Sequence, residues 1–114
     1  MQRAIRTSLR ATAVIALFML ASSTFAQGEN RSVRRGERLV TSQCSMCHAV
    51  GTQGTSPHSK APIFRTLFKR YPLESLVESL SEGLTSGHPD MPTFVFSPND
   101  ADAILSYLQS IQQP

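Results

Sequence analysis

Two cysteines stand three residues apart with a histidine immediately after them, in Cys44-Ser45-Met46-Cys47-His48. On a helix, residues i and i+3 share a face. The two sulfurs would then point the same way, with the imidazole next in line. The chain around them is short: 114 residues, two Cys and no Trp, which suits a single domain. A domain of this size buries little apolar surface and often needs a staple. A disulfide, a metal ion or an anchored cofactor could each serve.

The first 26 residues read as a separate segment. Arg3, Arg6 and Arg10 precede the uncharged apolar run Ala11 to Ala21, and small residues at Thr24 and Ala26 follow. Basic, apolar and small regions in that order make a secretory signal peptide, cut after Ala26. The run is about half the ~20 residues needed to span a bilayer, so the remainder is not expected to be membrane-embedded. Without an Arg-Arg pair in the basic region of this segment, the general secretory route fits better than the twin-arginine one. The expected domain is therefore residues 27–114, in the periplasm.

Export changes the charge balance. The whole chain has 11 basic and 8 acidic residues. Three of the basic ones lie in the leader, which leaves 8 of each. A nucleic-acid partner thus loses its electrostatic basis. The remaining charge is polarised, because residues 71–114 hold six acids and no Lys or Arg. Such asymmetry steers association with charged partners.

The apolar pattern is helical throughout. A first helix is expected from about Val33 to Cys47, with Gly36, Val40 and Cys44 on one face. Gly51 to Lys60 reads as a loop. Pro62 to Arg70 suits a short helix with Phe64, Leu67 and Phe68 inward. Pro72 is expected to open another, carrying Leu73, Leu76, Val77 and Leu80 inward and Glu74 and Glu78 outward, with Gly83 as its stop. Prolines keep Ser86 to Ser97 irregular. Ser97 and Pro98 then cap and begin a last helix, whose stripe is Ala101, Ile104, Leu105, Leu108 and Ile111. The fold class is all-α: three or four short helices joined by long loops, which need an organising centre.

Cys-x-x-Cys-His is an attachment pattern for c-type haem. Cysteine sulfurs on one helix face can form thioethers to the two vinyl groups along one haem edge. His48 can then reach the iron as proximal ligand. A zinc site would want four ligands, and beyond the cysteines only His48, His58 and His88 are at hand. A thioredoxin-like pair would want a βαβ setting, and a plain disulfide remains the simplest alternative. For the distal ligand, Met91 lies in Gly87-His88-Pro89-Asp90-Met91-Pro92, stiffened by proline; Met46 is too close to the anchors to cross the haem plane. His88 or His58 would give bis-histidine iron, and a vacant position would admit small ligands.

Taken together these residues resemble the class I mono-haem cytochromes c, including small periplasmic ones from proteobacteria. The likeness runs from about Val33 to Ile111. It rests on Gly36 and Val40 in the first helix, the complete Cys44, Cys47, His48 motif, Pro62 after the haem loop, Met91 with Pro92, and Ile104 with Tyr107 in the last helix. The resemblance implies first and last helices that cross closely at Gly36, and a backbone carbonyl near Pro62 that orients the proximal histidine. It implies one covalent haem c with iron between His48 and Met91, in a crevice for which Phe64, Leu67, Phe68, Leu76, Phe94 and Phe96 are candidate walls. The Trp that many relatives use to bind a haem propionate is missing; Arg65, Tyr71 or His88 are candidates to replace it.

The expected role is an electron carrier and not an enzyme, working as a monomer or in transient complexes with redox proteins. Alternatives are a haem subunit of a periplasmic dehydrogenase complex, or a peroxidase or gas sensor if the sixth iron position is open.

Overall fold

The structure, a computed structural model, describes residues 27–83 and 90–114. The leader expected at 1–26 lies outside the described residues, as do Gly87, His88 and Pro89. The chain divides into two units, Met1–Asn30 and Arg31–Pro114. In the first, residues 27–30 are helical. The second contains the core and all the residues discussed below.

In this second unit, helix α1 covers residues 31–44. It extends further upstream than Val33 and ends at Cys44 instead of Cys47. Its last carbonyls account for the end: Cys44 O accepts from Cys47 N at 3.1 Å and from His48 N at 3.0 Å, so the chain closes one final turn and then leaves the helix axis. After a loop, Phe64–Lys69 form a 3-10 helix. Helix α2 is Ser75–Glu82 and helix α3 is Pro98–Ile111. Among the described residues there is no strand.

Helix α2 begins three residues later than Pro72. Pro72 instead heads a turn, its carbonyl accepting from Ser75 N at 3.2 Å and from Ser75 Oγ at 2.7 Å. Gly83 ends the helix at φ +104°, a conformation that side chains with a Cβ disfavour. Helix α3 starts as its sequence requires. Ser97 is extended, its hydroxyl accepts from Asp100 N at 3.2 Å, and Pro98 occupies the first turn, where its missing N–H costs nothing.

Helices α1 and α3 touch at Gly36. A Cβ there would overlap the Ala103 carbonyl, coming within 2.6 Å of its carbon and 2.8 Å of Tyr107 Cβ. Hydrogen therefore sets the crossing distance. One turn on, Val40 is fully buried among Leu67, Leu73, Ile104, Tyr107, Leu108 and Ile111. Burying a side chain of that size contributes about 2 kcal/mol. Arg35 fastens the other end of the contact, its guanidinium lying 2.7 Å from the Asp100 carboxylate.

Phe68 is not inward: it is 45% exposed, whereas Leu67 is buried and Phe64 packs against the core. A 3-10 helix repeats every three residues. Phe64 and Leu67 therefore share one side, and Phe68 falls a third of a turn away.

Candidate cofactor site

Residues 47–50 follow an irregular path after α1, held by the loop after the motif, the 3-10 helix and α3. His58 N donates to Cys47 O at 3.1 Å and Phe64 N donates to Ala49 O at 3.0 Å. Ala49 N donates to Ser56 Oγ at 3.0 Å. Tyr107 donates its hydroxyl to Val50 O at 2.9 Å. The polar loop after the motif thus serves as a scaffold: its donors and acceptors satisfy a backbone segment that has left its helix.

His48 is buried at 9% exposure. Its Nδ1 lies 2.8 Å from Pro62 O, and its ring centroid is 4.6 Å from that of Phe64. A carbonyl can only accept, so Nδ1 carries the proton. Neutral imidazole then has its lone pair on Nε2, which suits a metal.

Cys44 and Cys47 are half-buried and not joined in a disulfide. Burial pushes the Cys44 thiol up to about 11, so it stays protonated at neutral pH. Met46 between them is 87% exposed; the motif turns its two intervening residues outward and its anchors partly inward. Among the described residues no three His, Cys, Asp or Glu side chains gather as ligands for a bare metal ion.

Met91 is half-buried in the irregular segment that precedes α3. Its neighbour Asp90 places Oδ2 3.6 Å from His58 Nε2, so the loop after the motif and the segment holding Met91 face each other. The other ring nitrogen of His58 accepts from Lys60 N at 3.3 Å. His88 lies outside the described residues. Of the residues weighed for the distal side, Met91 and His58 are therefore the two the structure describes. In the same segment as Met91, Phe94 and Phe96 stack on each other, with ring centroids 5.9 Å apart.

These residues fit a haem on three observations. The motif offers two thiols beside an imidazole with a free Nε2. Aromatic rings flank both the motif and the Met91 segment. Among the described residues Arg65 Nη1 is the single buried side-chain nitrogen or oxygen with no hydrogen-bond partner, a donor that an anionic group would satisfy.

Sequence patterning gave no signal for several of the residues that hold this site. Ser56, Val50, Gln112 and Gln113 act through hydrogen bonds to groups distant in sequence, which leave no periodic trace.

Residues 31–108 match the family model described as cytochrome C oxidase, cbb3-type, subunit III. No curated protein and no solved structure gives a significant match. The match spans most of the chain and contains the whole cysteine–histidine motif, so the chain belongs to this cytochrome c family, a domain that binds covalent haem c with its iron and serves haem-based electron transfer.

Proposed function

We propose that the chain is an exported, periplasmic one-electron carrier in which Cys44 and Cys47 form the haem thioethers, His48 is the proximal iron ligand and Met91 the distal one. The observation that carries this reading is the 2.8 Å contact between His48 Nδ1 and Pro62 O. It fixes the tautomer and leaves the lone pair on Nε2 of a buried ring whose chain neighbour is Cys47.

A bound haem supplies the ferric–ferrous couple. The protein's part is to hold the ring, set its electrical surroundings and exclude water. The Pro62 carbonyl makes the imidazole a stronger donor and favours ferric iron, whereas the neutral Met91 thioether favours ferrous iron and raises the potential. If His48 and Met91 both hold the iron, no place would be left for a substrate, which suits transfer over catalysis. Arg65 Nη1 is proposed as a partner for a haem propionate, in place of the missing Trp.

Residues 1–26 are proposed as the cleaved leader. Among the described residues no helix is long and apolar enough to cross a membrane.

A second reading, a haem subunit held in a larger redox complex, draws support from the matched family, whose description is that of an oxidase subunit. Co-purification of a stable partner with the protein separates it from a free shuttle.

The test is absorption spectroscopy of the haem-loaded protein from periplasm. A weak far-red band in the oxidised form that disappears in Met91→Ala supports sulfur ligation. Absence of that band, with carbon monoxide binding on reduction, would make the protein a ligand-binding haem domain.

A further inference from the structure

The residues just past α3 form a clasp on the segment that supports His48. Gln112 uses all its side-chain hydrogen-bonding groups across that gap. Its Nε2 donates to Phe64 O at 2.9 Å and to Leu108 O at 2.7 Å. Its Oε1 accepts from Phe68 N at 3.1 Å. One amide therefore ties the last turn of α3 to both ends of the 3-10 helix. Gln113 adds two bonds beside it, N to Arg65 O at 2.8 Å and Nε2 to Thr52 O at 3.1 Å.

What the clasp holds is the proximal wall. Phe64 gives its N–H to Ala49 O and its ring to His48. Two residues earlier, Pro62 supplies the carbonyl that meets His48 Nδ1. The 3-10 helix has no capping side chain at its start and only one buried residue, Leu67. Short 3-10 segments are weak alone, so bonds from outside decide where its first carbonyls sit.

We infer that Gln112 is a positioning residue for the proximal imidazole: by fixing the Phe64 carbonyl it fixes the Pro62 carbonyl and hence the strength of the His48 Nδ1–H bond. The inference rests on the proposed ligation by His48. A tight Nδ1–H bond makes the imidazole more basic and lowers the reduction potential. Loosening the clasp lengthens that bond.

The experiment uses the haem-loaded full chain and compares Gln112→Met, which keeps length and bulk, with Gln109→Ala. Gln109 bonds outward to Glu74 at 3.4 Å and serves as the control for general loosening. Nuclear magnetic resonance reads His48 Nδ1–H exchange, and voltammetry reads the potential. The expected result is at least tenfold faster Nδ1–H exchange and a raised potential in Gln112→Met, with both unchanged in Gln109→Ala. Equal exchange and potential in Gln112→Met and the unmodified protein, or equal shifts in the two variants, would overturn it. If Gln112→Met does not fold, exchange in the unmodified protein decides. The Gln112 Nε2 and His48 Nδ1 protons should then show the same opening equilibrium, and His48 opening while Gln112 stays protected sinks the inference. Failure of the underlying reading looks different: His48 in the unmodified protein would lack paramagnetically shifted resonances.

Discussion

Tyr107 donates its hydroxyl to the Val50 carbonyl at 2.9 Å, so the helix that packs against Gly36 also holds the chain two residues beyond His48. The crossing of α1 and α3 and the shape of the site are thereby one construction. Replacing Tyr107 by Phe removes the bond and leaves Val50 O without it, at a cost of about 1–2 kcal/mol. Urea unfolding of the haem-loaded protein should show a lowered midpoint with an unchanged slope.

The same residue contributes to the alkaline dependence of stability. Burial, and then the nearby Glu37 carboxylate, push the Tyr107 hydroxyl above its ordinary value. The unfolded chain ionises Tyr at about pH 10 while the folded one still holds the proton. The unfolded state then binds fewer protons, and stability falls as pH rises from there through the folded value. Tyr107→Phe should flatten that fall; an alkaline limb that kept its slope in the variant would assign it to other groups.

At the acid end, the Ser97 hydroxyl, then the Arg35 hydrogen bond, hold the Asp100 carboxyl below the usual carboxylate range. Its contribution is present above the unfolded value of about 4 and is lost as pH falls through the folded one. Ser97→Ala should weaken the acid dependence more than Arg35→Gln. Thermal midpoints measured from pH 7 down to pH 2 check both the sign and the order.

Gly36→Ala should be among the most damaging single-carbon additions. The clash falls on the Ala103 backbone, which cannot swing aside as a side chain would. The expected loss is about 3 kcal/mol, at the upper end of overpacking effects. Circular dichroism should show a thermal midpoint lowered by more than that of Val40→Ala, which creates a cavity at a fully buried position and should cost about 2 kcal/mol.

Removing the anchors should remove the fold. The Cys44→Ala, Cys47→Ala double variant lacks both sulfurs proposed to hold the haem, and the core that remains is a handful of side chains around Val40. It is expected to lose cooperative unfolding in calorimetry. A sharp transition in that variant would show that the helices hold without the cofactor.

How far the chain could be read from its letters depended on the kind of force at each place. The stripe of α3 was legible because burial recurs every turn, and the Ser97–Pro98 start because capping chemistry is local. Gly36 and Val40 announced a packed face by spacing alone. Cys44, Cys47 and His48 are neighbours in sequence, so their nearness in space needed no tertiary knowledge. Phe68 was misplaced because three-residue and 3.6-residue periods cannot be told apart over six residues. The starts of α1 and α2 shifted because propensity fixes a helix better than its ends. The clasp of Gln112 was invisible: its value comes from which carbonyls happen to lie nearby.

Ser32 and Ser106 hydroxyls meet at 3.2 Å although 74 positions separate them, beside the Gly36 crossing. Geometrically the intervening chain is a ring closed at that point. The entropy of closing such a ring grows only with the logarithm of its length, about 0.6 kcal/mol for each doubling. Residues added to or removed from the exposed loop after the motif therefore change the circumference at little expense, provided Ser56 and His58 keep their bonds. The closure is where this architecture is rigid, and the perimeter is where it has room to vary.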